Sequence, residues 1–173
     1  MSFVAFESWI TAPALKQVAA HWNESRGARA MPSWADLKPA RIAAHLSYVW
    51  SFRYDPEADD FYGRLVGERI SRHIGRDFRG LPLAEAYPPE AVGWARKVFK
   101  RVVGEPALYG HQGVMFQQLE RLGQGERIIL PLSSDGREAD GLLGATLFEN
   151  LRNAPMTLLP PDEAAERWFA LPV

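Results

Sequence analysis

Residues 61–90 read FYGRLVGERISRHIGRDFRGLPLAEAYPPE and pass from one structural period to another. Phe61, Gly63 and Leu65 repeat every second residue, which is typical of a β-strand. After Gly67 the alternation stops, and glycine and proline interrupt every longer run, so we expect only two short helical turns. The segment therefore predicts a strand that ends at a glycine and leads into short helices.

The residues before this segment predict a second strand that pairs with the first. An aromatic face is indicated by the alternating residues Tyr48, Trp50, Phe52 and Tyr54. The acidic run DPEADD at 55–60 supplies a turn. We therefore expect residues 47–67 to form an antiparallel hairpin.

The residues after the segment predict one long helix and three more strands. Apolar residues recur at helical spacing over 89–103, prolines stand at the start of this run and Gly104 follows it. Alternating or continuous apolar runs indicate strands at about 107–119, 126–133 and 142–151. The order predicts an α+β fold: a five-stranded antiparallel sheet with helices inserted after the second strand, covered on one face.

Two segments resemble PAS domains, and in particular the proteobacterial single-domain PAS proteins with a tryptophan-containing N-terminal helix. They are residues 61–90 and ERIILPLSSDG at 126–136, which match in order and separation over about residues 34–150. The resemblance implies a PAS-like fold. One departure is Gly63, where a larger side chain is expected in such relatives, so that a ligand or another packing group could occupy the space.

Three parts of the chain are predicted: a helical N-terminal extension at 1–46, the PAS-like domain at 47–151 and a tail at 152–173. The extension begins with a helix after Pro13 that ends near Gly27, and a second short helix is expected after Pro39. The tail contains a short predicted helix that could dock its apolar residues Trp168, Phe169 and Leu171.

The first helix carries an apolar stripe that something must cover. Leu15, Val18 and Trp22 share one side of the helix, and Trp9 and Ile10 precede them. The stripe either folds onto the chain's own sheet or meets a second copy across a two-fold axis. Because flanking helices of PAS domains frequently make such contacts, the resemblance favours a homodimer through this helix.

The composition excludes several classes of protein. Twenty basic and 21 acidic residues leave a net charge of −1, so we expect no nucleic-acid binding. The chain has no cysteine and no run of roughly 18 apolar residues, which excludes a disulfide framework, a cysteine zinc site and a membrane span. Its first residues lack the pattern of a secretory signal, and a cytoplasmic location is expected.

A pocket between the first strand and the long helix is expected to bind an apolar or aromatic small molecule. Its candidate lining residues are Trp50, Phe52, Gly63, Leu65, Ile74, Phe78, Trp94, Val98, Met115 and Leu130. An ordinary filled core is the alternative, because large aromatic side chains suit both. The sequence predicts no particular cofactor.

An arginine-rich segment is a weaker candidate for a binding site. Guanidinium groups of Arg69, Arg72 and Arg76 match phosphate or carboxylate geometry and could hold an anion. The alternative is a solvated helix face that pairs with nearby acidic residues. The four histidines show no metal-ligand spacing, so no metal site is predicted.

The expected function is a non-catalytic sensory or adaptor PAS module of a bacterial signalling system. It would bind a small molecule or a protein partner and signal through another chain. Two alternatives stay open: a small α+β enzyme with a cone-shaped sheet and a purely structural dimerisation domain. No acid–base pair of an enzyme is visible in the sequence.

Overall fold

The computed structural model describes residues 2–172. Its α-helices are α1 Ser2–Trp9, α2 Pro13–Arg26, α3 Glu68–Ile74, α4 Leu83–Ala86 and α5 Pro89–Gly104. Its strands are β1 Val49–Asp55, β2 Asp60–Val66, β3 Ala107–Gln118, β4 Arg121–Leu132, β5 Gly141–Phe148, β6 Thr157–Leu158 and β7 Glu166–Ala170. Short 3₁₀ helices span Trp34–Asp36, Pro39–Tyr48 and Glu163–Ala165.

The strands form one antiparallel sheet in the order β2-β1-β5-β4-β3. The predicted five-stranded sheet with helices inserted after its second strand is therefore confirmed. Two strands from the tail extend it, because β7 pairs with the first half of β3 and β6 with Phe116 and Gln117. These short strands cover an edge that would otherwise present unpaired backbone groups.

Both faces of the sheet are buried, whereas the sequence predicted cover on one face only. Helices α3, α4 and α5 lie on one side, which we call the α5 face. Helices α1 and α2 lie on the other side, which we call the N-terminal face. No helix within residues 2–172 combines the length and the apolar character that crossing a membrane requires.

The apolar stripe of α2 is covered by the chain's own sheet. Leu15, Val18 and Trp22 are fully buried in the N-terminal core together with Leu130 of β4. The Trp22 indole Nε1–H also donates a hydrogen bond to the carbonyl oxygen of Pro131, 2.8 Å away. The stripe thus folds onto the chain's own sheet, which was the first of the two expected arrangements. It no longer argues for a homodimer. The homodimer itself stays a prediction.

A buried carboxylate joins α2 to the centre of the sheet. Ala12, at the start of α2, has no side chain able to cap the helix. The Glu126 carboxylate of β4 binds the residues just before the helix: it accepts hydrogen bonds from the backbone N–H of Thr11 at 3.0 Å and of Ala12 at 3.2 Å, and from the Thr11 hydroxyl. Glu126 therefore satisfies the Ala12 N–H, one of the donors that the start of a helix leaves free, and ties the entry to α2 to the sheet.

The tail forms an edge strand, and its helical part is the single 3₁₀ turn Glu163–Ala165. Because side chains alternate along β7, Trp168 and Phe169 reach opposite faces of the sheet. Phe169 contacts Phe6 on the N-terminal face, with ring centroids 5.3 Å apart. Trp168 meets Tyr109 of β3 edge-on on the α5 face, at 4.8 Å.

Candidate functional site

The structure brings six of the predicted pocket residues together on the α5 face. They are Trp50, Phe52, Ile74, Phe78, Trp94 and Val98. Their rings pack closely: the ring centroids of Phe52 and Phe78 are 4.9 Å apart, and those of Trp50 and Phe99 are 5.5 Å apart. The aromatic part of the predicted pocket is therefore a filled core.

The prediction that Leu65 and Leu130 line the pocket is wrong, because both residues pack on the N-terminal face. Along β2, Leu65 pairs with Ser51 but Gly63 pairs with Phe52, so Arg64 is an extra residue in the strand. Such a β-bulge breaks the two-residue alternation. Met115 is buried against Gly125 of β4, outside both cores.

The space beside Gly63 is filled by backbone, contrary to the expected ligand space. A Cβ atom at this position would lie 2.0 Å from the carbonyl oxygen of Phe78. The glycine N–H donates to the carbonyl oxygen of Leu81 at 2.9 Å, and its own carbonyl oxygen accepts from the Gly80 N–H at 2.8 Å. Glycine is needed here because the segment after α3 crosses β2 in direct backbone contact.

A row of polar residues crosses four neighbouring strands on the α5 face. Glu166 of β7 pairs with His111 of β3, His111 pairs with Arg127 of β4, and Arg127 pairs with Thr146 of β5. Cross-strand partners point to the same side of a sheet, so the four side chains lie next to one another. None of them was among the residues predicted from the sequence.

Arg127 is the charged centre of this row and is only 4% exposed. Its Nε–H donates to the Thr146 hydroxyl at 3.3 Å, and the same hydroxyl accepts from the Trp50 indole N–H at 3.0 Å. The guanidinium lies over the ring of Trp94 from α5, 4.7 Å from its centroid. The hydroxyl and the ring orient the cation, but neither supplies a negative charge.

Several buried polar atoms around Arg127 have no hydrogen-bond partner within residues 2–172. They are Nη1 of Arg127, Nε1 of Trp94, the hydroxyl of Tyr109 and both ring nitrogens of His111. We call these four residues the Arg127 cluster. Buried polar groups in proteins are nearly always hydrogen-bonded, so a group of unpaired ones on one face needs an explanation.

Burial controls the protonation of the cluster. Desolvation, reinforced by the neighbouring Arg127 charge, lowers the pKa of His111 to about 4. Desolvation also raises the pKa of Tyr109 well above its usual range and lowers that of Arg127. Since a guanidinium keeps its proton even so, the cluster at neutral pH holds one positive charge beside a neutral imidazole and a neutral phenol.

A groove between α5 and the tail lies beside the cluster. Its volume is about 460 Å³, and Trp94, Glu166 and Trp168 form part of its wall. Trp94 belongs to the cluster and Glu166 to the polar row, so the groove borders both, whereas Arg127, Tyr109 and His111 are not part of its wall. Burial raises the pKa of the Glu166 carboxyl.

The predicted anion-binding arginines have partners within the chain. Arg72 forms an ion pair with Glu68 at 2.5 Å, Arg76 donates to the carbonyl oxygen of Glu85, and Arg69 lies 5.0 Å from the Tyr48 ring centroid. Arg69 and Arg72 line a groove of about 430 Å³, from which Arg76 is absent. Within residues 2–172, no three histidine or acidic side chains gather as metal ligands would.

One sequence signal could have revealed the cluster. Arg127 is a charged residue directly before the apolar run IILPL, in a strand that is buried on both faces. A charge in such a strand is rarely left without a role, since its burial is costly. Tyr109, His111 and Thr146 carry no comparable signal, because only the strand register brings them to Arg127.

A family model described as a PAS domain matches residues 10–147. No curated protein and no solved structure matches the chain. The matched residues include α2, the hairpin, α3 to α5 and the strands β3 and β4, together with nearly all of β5. The chain belongs to the PAS domain family.

Proposed function

We propose that this PAS domain is a non-catalytic sensory module that binds a small molecule at the Arg127 cluster and signals through another chain. PAS domains are in general sensory and signalling modules, which agrees with this function. The observation that carries the proposal is the set of buried polar atoms without partners, next to a groove that reaches the surface. A bound molecule would supply the hydrogen bonds that the chain does not.

The protonation states favour binding over catalysis. A general base works best when its pKa lies near the working pH. The pKa of His111, about 4, makes it a weak base at neutral pH. The raised pKa of Tyr109 keeps its phenol from giving up a proton. The cluster is thus suited to holding a molecule through hydrogen bonds without changing it.

Strand β4 offers a route from the cluster to the N-terminal helices. Arg127 and Glu126 are consecutive residues, so their side chains point to opposite faces of the sheet. Arg127 lies in the cluster, whereas Glu126 holds Thr11 and Ala12, the residues that lead into α2. A molecule that moves β4 at Arg127 therefore also moves the cap of α2. Helices α1 and α2 would present this change to a protein partner.

Native mass spectrometry of the full chain tests the proposal. The purified protein is weighed under gentle and under denaturing conditions, and a library of neutral, cationic and anionic metabolites is screened for compounds that raise its melting temperature. We expect a retained molecule, or at least one compound that stabilises the protein. A chain without excess mass that no compound stabilises would contradict a small-molecule sensor and leave an adaptor or structural role.

A further inference from the structure

We infer that the molecule held by the Arg127 cluster is a small organic monocarboxylate. Its carboxylate would pair with the Arg127 guanidinium and accept hydrogen bonds from Trp94, Tyr109 and His111. The inference rests on the proposed function, because it names the class of molecule that the sensor binds. It is carried by charge, by the count of hydrogen-bond donors and by the apolar surroundings of the cluster.

Within residues 2–172, the acidic group that acts on the Arg127 charge is Glu166, which lies beyond ion-pair distance at the end of the same row. The guanidinium is almost completely buried, and its hydrogen bond goes to a neutral hydroxyl, that of Thr146. The ion pairs formed within residues 2–172 do not include it. A buried charge without a partner is strongly unfavourable, and an anion beside it removes this penalty. The cluster therefore selects a negatively charged molecule.

Hydrogen-bond donors outnumber acceptors in the cluster. The Arg127 Nη1 and Trp94 Nε1 groups can only donate, and a neutral His111 ring has a proton to donate as well. The Tyr109 hydroxyl also has one, although the neighbouring Glu166 carboxylate competes for it. A carboxylate offers two oxygens with about four acceptor sites and no donor. An ammonium group would leave these donors unpaired and would repel the guanidinium.

A carboxylate fits better than a phosphate, because the cluster has a single positive charge. Lys97 and Arg101 line the nearby groove and are not part of the cluster: Lys97 lies 3.3 Å from Glu163, and the Arg101 guanidinium lies 4.0 Å from the Trp168 ring centroid. The walls next to the cluster are aromatic, with Trp94 stacked on Tyr87. Such walls suit an apolar or aromatic body attached to the carboxylate.

The test uses calorimetry and melting curves of the full chain with four probes: acetate, butyrate, benzoate and phenylacetate. Each is compared with its neutral amide, and inorganic phosphate is added as a further anion. We expect at least one carboxylate to bind and raise the melting temperature. Its amide should bind about ten- to a hundredfold more weakly, because it loses the charged hydrogen bonds.

Three variants locate the site. Arg127→Met should abolish carboxylate binding and raise the melting temperature of the free protein, because it removes an unpaired buried charge. Tyr109→Phe should weaken carboxylate binding and keep the fold. It therefore tests the site even if Arg127→Met does not fold. The matched control replaces Arg69, Arg72 and Arg76 by glutamine; it removes three charges elsewhere and should bind as tightly as the wild type.

Each outcome either supports or contradicts the assignment of a carboxylate to the Arg127 cluster. If no carboxylate binds while a different molecule is retained in native mass spectrometry, the sensor function stands and the carboxylate class is wrong. If a carboxylate binds equally well to Arg127→Met, or no longer binds to the triple glutamine variant, the Arg127 cluster is not the binding site. If phosphate binds more tightly than every carboxylate, the assigned class is wrong. If nothing is retained and nothing binds, the inference and the proposed function both fail.

Discussion

His111 of β3 and Arg127 of β4 are direct partners across the sheet, on the buried face beneath α5. Both belong to a β-sheet row that ends at Glu166 on one side and Thr146 on the other. Beside a buried cation, an imidazole cannot easily accept a second positive charge. Burial, reinforced by this pairing, explains why the His111 ring stays neutral well below neutral pH.

The pairing predicts an acid-sensitive fold. The pKa of His111 is about 4 in the folded chain and close to 6.5 in the unfolded chain. Between these values the unfolded chain binds a proton that the folded chain does not, so the free energy of unfolding falls as the pH is lowered from 6.5 to 4. The full loss is about 3 kcal/mol.

Denaturant unfolding of the wild type and of His111→Gln, measured from pH 7 to pH 4, checks this prediction. Arg127 and Asp162, which act on the pKa of His111, and its cross-strand partner Glu166 are present in both proteins. The difference between the two plots of unfolding free energy against pH therefore gives the contribution of the His111 imidazole. Parallel curves across this range would show that His111 does not carry the effect.

Trp50 of β1 pairs with Gly144 of the neighbouring strand β5, and its indole ring lies over the glycine. A Cβ atom at Gly144 would lie 2.2 Å from the Trp50 indole ring, which is fully buried and cannot move away. We expect Gly144→Ala to lower the free energy of unfolding by about 1–3 kcal/mol, because overfilling a packed core forces side chains off their rotamers.

Gly93→Ala is the matched control for this prediction. It adds the same methyl group on the exposed side of α5, where no atom lies within 4 Å of the new Cβ. It should stabilise the protein by about 1 kcal/mol, because alanine is the better helix former. Chemical denaturation gives the free energy of unfolding of both variants. A Gly144→Ala protein as stable as the wild type would contradict the close packing of Trp50 on Gly144.

Glu126 is expected to be the main polar link between the sheet and α2. Glu126→Ala leaves the backbone N–H groups of Thr11 and Ala12 without their acceptor. We expect a loss of about 2 kcal/mol in the free energy of unfolding, and faster hydrogen exchange of the Thr11 and Ala12 amides at the start of α2. Glu138→Ala, at an exposed position of the β4–β5 loop, is the control and should change neither. Unchanged exchange of the Thr11 and Ala12 amides would contradict the cap.

The predicted homodimer through the N-terminal helices now depends on α1. The α2 stripe is buried, but Val4 of α1 is 65% exposed. If the wild type is a dimer by light scattering, Val4→Glu should make it a monomer, because the charge would have to be desolvated at the contact. Leu122→Glu, which changes an exposed leucine at the far end of β4, should stay dimeric. A monomeric wild type would end the dimer prediction.

The periodicity of the sequence was sufficient for the order of the elements from β1 to β5. Two-residue alternation in the hairpin and helical spacing over 89–103 reflect local geometry, which each segment shows by itself. The predicted bounds of α5 differ from the observed ones by a single residue at its end, and each of the five predicted strands overlaps an observed one. These features are local, so the sequence alone determined them.

Only the tertiary structure decided which residues meet. The bulge at Arg64 turns Leu65 to the N-terminal face, and backbone from the segment after α3 fills the space beside Gly63. Edge pairing made a strand of the tail, because β3 offered free backbone groups to it. Strand register then aligned Glu166, His111, Arg127 and Thr146, which come from four separate strands. Register depends on backbone pairing between distant parts of the chain, and no local pattern records it.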